Sequence, residues 1–170
     1  MNKKTIKAIL DVIKDVEDRP GLYGAMINGR YITFTDGYLI VRLEMGEYEE
    51  LRPFPMADKV WVSGQQLKEH YNTIKGREVL LSVRDDDHDN KQLNEPKVLH
   101  PDYDKLWETE WAGERTADGT LINPVEFKKL APFGVMEMWI EKRTERSDYI
   151  KFKGKGVEAI VCSMFKGGIK

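Results

Sequence analysis

The residues best equipped for chemistry are Asp85-Asp86-Asp87-His88-Asp89, with His100 and Asp102 a short way along the chain. Carboxylates and imidazoles ligate divalent cations, and a metal held by Asp85, Asp87, His88, His100 and Asp102 would activate water for hydrolysis. The spacing does not match an EF-hand, which needs a mid-loop glycine and a distant glutamate. A run of like charges beside Asn90 also describes a solvated turn, the commoner meaning of such a run. A metal-dependent hydrolase or nuclease is therefore the rival reading, and no metal site or cofactor is assigned. Nucleophilic catalysis has less to build on. The single cysteine, Cys162, alternates with apolar neighbours in a strand, where a thiol packs as a small hydrophobe. No serine has a visible base partner. His70 falls on a helix and is expected to be exposed. The chain reads as a binding protein, not an enzyme.

Composition sets the frame for these residues. The 170 residues suffice for one domain and part of a second, and 41% apolar with 33% charged is a globular profile. The formal net charge of −2 argues against a generically basic nucleic-acid binder, although positive charge gathered on one face remains compatible with it. One cysteine permits no internal disulfide, which fits a reducing cytoplasm. Lys3 and Lys4 precede a helix carrying Asp11, Asp15, Glu17 and Asp18, which is not a signal peptide. No stretch approaches the ~18 apolar residues of a membrane span.

The elements that must position any site alternate between helices and small meanders. Ile6, Ile9, Leu10, Ile13 and Val16 recur at helical spacing, which predicts an amphipathic helix over 3–18, stopped by Arg19-Pro20-Gly21. Strands are predicted at Leu22–Asn28, Tyr31–Thr35 and Tyr38–Met45, turned by Asn28-Gly29 and Asp36-Gly37. The acidic, proline-bearing stretch from Glu47 to Asp58 reads as a connection. Val60–Ser63 is a short strand, and Ser63 is a plausible N-cap for a helix over Gln65–Lys75 that buries Leu67, Tyr71 and Ile74. Glu78–Val83 is a further strand. Asn123 and Pro124 start a short helix to Leu130, followed by strands at Met136–Lys142, Tyr149–Lys153 and Val157–Ser163. The fold class is α+β, built from repeats of a short helix and an antiparallel sheet. Residues 1–112 form one domain of two units, 113–119 a connection, and 120–170 a third unit.

Several short motifs, in one order, resemble the bacterial DNA sliding clamp, the processivity subunit of a replicative polymerase. Thr35-Asp36-Gly37-Tyr38-Leu39-Ile40 resembles the Thr-Asp-Gly-x-x-Leu run of a clamp's middle domain. Val60-Trp61-Val62-Ser63 before a helix resembles the opening of that domain's second half, and His100-Pro101-Asp102-Tyr103 its Phe-Pro-Asp-Tyr segment. Ala159–Met164 resembles the Val-Met-Pro-Met ending of the whole clamp, with Ser163 in place of the proline and Phe165 where a basic residue is usual. A full clamp chain is considerably longer, and a compact phage-type version would account for the difference.

The resemblance implies DNA-clamp-like repeats, a role in DNA replication or repair, and a pocket for a peptide of a polymerase or other partner. Thr35, Gly37, Tyr38, Ile40, Leu67, Cys162 and Met164 would line that pocket. It also implies helices that face double-stranded DNA through Lys3, Lys7, Lys14, Lys68, Lys75, Lys128 and Lys129, and admits a homo-oligomeric ring. Acidic neighbours make a solvated helix face the simpler meaning of these lysines. Trp107 and Trp111 would stack on bases or, more simply, pack on a sheet. A plain interaction module, such as a clamp decoy or inhibitor, is the remaining alternative.

Overall fold

A computed structural model describes residues 3–73, 107, 124–134, 136–142 and 148–162. Alternation dominates the chain, and it produces one seven-stranded sheet among these residues. Strands β1 (Gly24–Asn28), β2 (Tyr31–Thr35) and β3 (Leu39–Glu44) form a meander, and β4 (Val60–Ser63) adds to the free side of β1. Strands β5 (Met136–Lys142), β6 (Asp148–Gly154) and β7 (Val157–Cys162) form a second meander. The two join through β3 and β7, giving the order β4-β1-β2-β3-β7-β6-β5 with every pairing antiparallel. One sheet thus runs through the first and last thirds of the chain. Helices α1 (Lys4–Ile13), α2 (Gly64–Thr73) and α3 (Pro124–Leu130) carry its cover.

Strand parity decides what faces what. Leu39, Val41 and Leu43 of β3, with Val157, Ala159 and Val161 of β7, point to the helices and join a core that includes Ile6, Ile9, Val12, Ile13, Phe34 and Leu67. Ile40 and Arg42 point the other way, opposite Ile160 and Glu158. On that outer face Trp107 lies against Ile160, with Met26, Ile40 and Tyr149 beside them. The Arg42 guanidinium sits over both the Tyr31 ring (4.6 Å) and the Trp107 ring (4.5 Å), and it bonds Glu158. Packing on the sheet is therefore the observed use of Trp107.

Local chemistry fixes the helix starts. Ser63 Oγ accepts from Gln66 N (3.2 Å) while Gln66 Oε1 accepts from Ser63 N (2.8 Å), a reciprocal capping box that bears out Ser63 as N-cap. Helix α1 has no capping side chain at Lys3. Glu50 supplies one from a distance: Thr5 N donates to its Oε1 (3.2 Å) and Thr5 Oγ1 to its Oε2 (3.1 Å). The stretch expected to be a mere connection contains the end of one 3-10 turn, Met45–Glu47, and the whole of another, Glu49–Leu51, and it buries Glu50, Leu51 and Phe54. His70 also departs from expectation. It is only 2% exposed, edge-on to the Phe54 ring at 4.9 Å. Phe54, just beyond these turns, reaches α2, and that long-range packing has no local sequence signal.

Candidate partner-binding site

The β2–β3 turn is built by its own side chains. Thr35 Oγ1 donates to Leu39 O (2.8 Å) and accepts from Gly37 N (2.9 Å). Asp36 Oδ1 accepts from Tyr38 N (2.9 Å) and Leu39 N (2.8 Å). Gly37 supplies a φ of +96°, which a residue with a Cβ rarely adopts. These bonds leave Tyr38 no freedom to fold inward, and it stands 68% exposed. Cys162 N donates to Tyr38 O (3.0 Å), so the end of β7 is tied to the turn. The Cys162 thiol is pushed up in pKa by burial and by the Asp36 charge, which keeps it protonated and poorly nucleophilic.

Beneath the turn lies a buried ionic cluster. Asp36 Oδ2 takes a bond from Lys129 Nζ (2.5 Å), which also reaches Asp15 Oδ2 (2.8 Å) and Glu126 Oε2 (3.3 Å). Exposure of the Asp36 side chain is 1%, of Glu126 9% and of Lys129 11%. Burial raises the Glu126 carboxyl, and a hydrogen bond with Asp36 and that residue's charge carry it to about 7. Burial also opposes ionisation of Asp36, but bonds from Glu126, Lys129 and the two backbone N–H groups outweigh it and hold the carboxyl below its ordinary range. Burial would lower Lys129, yet its bonds to Asp15 and Asp36 raise it on balance. The two carboxyls are thus driven apart, Asp36 towards the ionised form and Glu126 towards the protonated one. The cluster ties α3 and the 3-10 turn after α1 (Lys14–Val16) to the site.

The residues expected to form a peptide pocket divide between the two sides of the sheet. Thr35, Gly37, Tyr38 and Cys162 meet at the turn, and Ile40 continues from it on the outer face. Leu67 is fully buried among the helices on the opposite side, so it belongs to the core. Met164 lies outside the described residues. Sequence reasoning did not single out Asp36, Glu126 or Asp15 for the site. A Thr-Asp-Gly turn announces Asp36 as a turn former, but its Lys129 contact spans most of the chain. Val125 and Phe127, on the helix that carries Glu126, are also exposed, at 57% and 53%. The Phe127 ring nevertheless keeps Phe152 within 6.0 Å.

The lysines expected to face DNA also part company. Lys129 is drawn inward to the acidic cluster. Lys3 Nζ bonds Tyr71 O (2.7 Å), and Lys68 Nζ bonds Glu17 (2.8 Å) over the Tyr23 ring. Lys7, Lys14 and Lys128 are exposed, but so are Asp11, Asp15 and Asp18 on the same layer. Lys75 lies outside the described residues, as do Asp85, Asp87, His88, His100, Asp102 and Trp111. Among the described residues no group of three acidic, His or Cys side chains is arranged to hold a metal, and no helix is long and apolar enough to cross a membrane.

At the far end of the same strands an opening of about 190 Å³ is lined by Tyr31, Arg42, Glu44, Lys153 and Glu158. Ion pairs already engage its charges. Glu158 faces Arg42, Lys151 and Lys153, and Glu44 faces Arg30. Four cations thus surround two carboxylates, all of them held in ion pairs, in contrast to the exposed aromatic at the turn. Comparison with known proteins finds no matching family model, no matching curated protein and no matching solved structure.

Proposed function

We propose that this chain is a non-enzymatic, clamp-like accessory protein of DNA replication or repair that tethers partner proteins through a short peptide. The observation that carries the reading is the Thr35–Leu39 turn: side-chain bonds lock it, and it holds Tyr38 68% exposed beside the end of β7. A large aromatic held outward on a rigid turn loses little entropy when a partner covers it, which is how binding anchors work. Ile40 extends the same surface along the outer face, where Trp107 already packs on neighbouring Ile160. A peptide with one or two large apolar side chains matches that chemistry.

The motif resemblance supplies the replication context, and two paired helix-and-meander units are compatible with it. Contact with double-stranded DNA belongs to the same proposal and would rest on Lys7, Lys14 and Lys128. The mixed charge around them makes that contact the weaker part. The test is a fluorescence-anisotropy titration with a short clamp-binding peptide against wild type and Tyr38→Ala. Saturable micromolar binding, weakened at least about tenfold by the substitution, is expected for an anchor residue. Equal binding by both proteins, or none by either, removes the turn as a docking site.

A further inference from the structure

Strand register gathers cations on the outer face, at the end of the sheet away from Tyr38. Arg42, Glu158 and Lys153 are direct partners across β3, β7 and β6, and Lys151, two residues before Lys153, shares their side. Arg30 immediately precedes β2, whose first residue, Tyr31, pairs with Glu44. The ion pairs here leave donors to spare. Arg42 Nε and Nη2 both bond Glu158 Oε2, so three of its five N–H donors remain. Lys151 and Lys153 stand 3.9 Å from Glu158 Oε1, too far for a hydrogen bond, and Arg30 Nε is 3.5 Å from Glu44. One ring holds two of the cations together. The Arg30 and Arg42 guanidiniums lie 5.2 and 4.6 Å from the centre of Tyr31, and Arg30 Nη2 donates to its hydroxyl (3.0 Å). Lys151 registers the crowding: burial lowers its pKa, Glu158 pulls it back, and the charges of Arg42 and Lys153 push it down again. Glu137 faces Lys153 from β5 without lining the opening, and Lys155 beside the opening is paired with Glu47 (3.0 Å). With Glu137 included, Arg30, Arg42, Lys151 and Lys153 still outnumber the carboxylates around them.

We propose that the opening between these side chains binds a phosphate monoester group, gripped by Arg42 and Lys153 with Arg30 at the rim. Such a group carries about −1.5 to −2 at neutral pH and three acceptor oxygens, which suit a surplus of cations with unused donors. A guanidinium matches phosphate geometry with two parallel N–H bonds. Arg42 is set for this in advance: its side chain is 21% exposed and lies over the rings of both Tyr31 and Trp107, so it loses little freedom on binding. Lys153, 61% exposed, is the arm that closes on the ligand. Gly154 and Gly156 line one side of the opening, where a ligand can approach the backbone closely. The volume of about 190 Å³ is below the ~300–1,000 Å³ of clefts for larger ligands, so it suits one charged group and not a whole cofactor. The rings nearby are already engaged, Tyr31 by two arginines and Trp107 by Arg42 and Ile160, which argues against the base stacking that single-stranded nucleic acid uses. The site lies at the other end of β3 from Tyr38 and does not depend on the peptide docking proposed above.

The test is a titration of the full chain with inorganic phosphate at about pH 7.5 and about 0.15 M chloride, read by heat and by the side-chain Nε–H signal of Arg42. Saturable binding is expected at millimolar phosphate or below. Lys153→Gln removes an exposed cation whose ion pair is long, so the fold should survive, and binding should weaken at least about tenfold. Arg52→Gln makes the same charge change at an exposed position that does not line the opening, and should bind as wild type. No saturation by about 20 mM phosphate, equal binding by Lys153→Gln, or an equal loss in Arg52→Gln overturns the site. Two further ligands identify where the phosphate comes from. A phosphoserine peptide that binds at least about tenfold more tightly than phosphate, and only when phosphorylated, assigns the group to a modified protein partner. A phosphoserine peptide no tighter than phosphate assigns it to a small phosphate compound, and both results uphold the site. A single-stranded oligonucleotide without terminal phosphates that binds more tightly than either overturns the monoester in favour of a nucleic-acid backbone.

Discussion

The two meanders share an element order but are covered differently. In the first half, α1 and α2 lay a broad apolar surface over β1–β3, with Ile6, Ile9, Val12, Ile13 and Leu67 all excluded from water. In the second half, α3 has seven residues, and its buried contacts combine Leu130 with the charged side chains Glu126 and Lys129. Apolar burial is indifferent to pH and tolerates small displacements, whereas ionic contacts demand geometry and a protonation state. The half that borders the exposed Tyr38 is therefore the half whose helix is held by ionic contact.

The sharpest way to break this comparison is to cut one side chain from each half. Leu67→Ala removes a fully enclosed side chain from the first half and should cost about 2–5 kcal/mol, seen as a large fall in the urea midpoint. Phe127→Ala, half exposed on α3, should cost about 1 kcal/mol, the worth of an aromatic pair. Equal losses would mean that the second half is held by apolar contact after all.

How much of this could be read from the sequence follows the range of the interactions. Strand and turn positions were legible because alternation and Gly-containing turns are local. Tyr31–Thr35 and Met136–Lys142 fall where predicted, and α1 differs only in tightening to a 3-10 turn after Ile13. Partners brought from afar were not legible. Nothing near Lys129 announces Asp36, and nothing near Thr5 announces Glu50. Lys129 on an amphipathic helix reads as a surface cation until the turn that receives it is in place. Leu67 was placed in the pocket by motif position, while the parity of the sheet puts it on the other side.

The pH profile sharpens the same contrast, because each half contributes one limb. Burial holds His70, in the first half, below its ordinary 6.5, so the unfolded chain binds its proton more readily. The stability it contributes is present above that value and is lost as pH falls below it. Glu126 behaves oppositely. Its contribution is full below about 4.5 and gone once pH passes about 7, a span worth up to about 3 kcal/mol at about 1.4 kcal/mol per pKa unit. Asp36, held below 3.8, adds a loss only in stronger acid. Urea midpoints against pH should trace a dome. His70→Gln should flatten the acid limb alone and Glu126→Gln the alkaline limb alone, and a variant that moved both limbs would show the two halves to be one electrostatic unit.

The smallest expected effect separates two turns that look alike in sequence. Gly29 and Gly37 both have positive φ, and neither would meet a clash on gaining a Cβ: Gly29 has no atom within 4 Å, and Gly37 only Arg19 Nη1 at 3.8 Å. At Gly29 φ is +58°, within the left-handed well that asparagine tolerates; at Gly37 it is +96°, beyond it. Gly29→Asn should therefore cost only a few tenths of a kcal/mol, and Gly37→Asn about 1 kcal/mol or more. The second substitution should also weaken peptide binding, because the strain is relieved by rotating the backbone that aims Tyr38. A Gly37→Asn protein that loses stability yet binds as wild type would show that the turn's geometry serves the sheet and not the surface it presents.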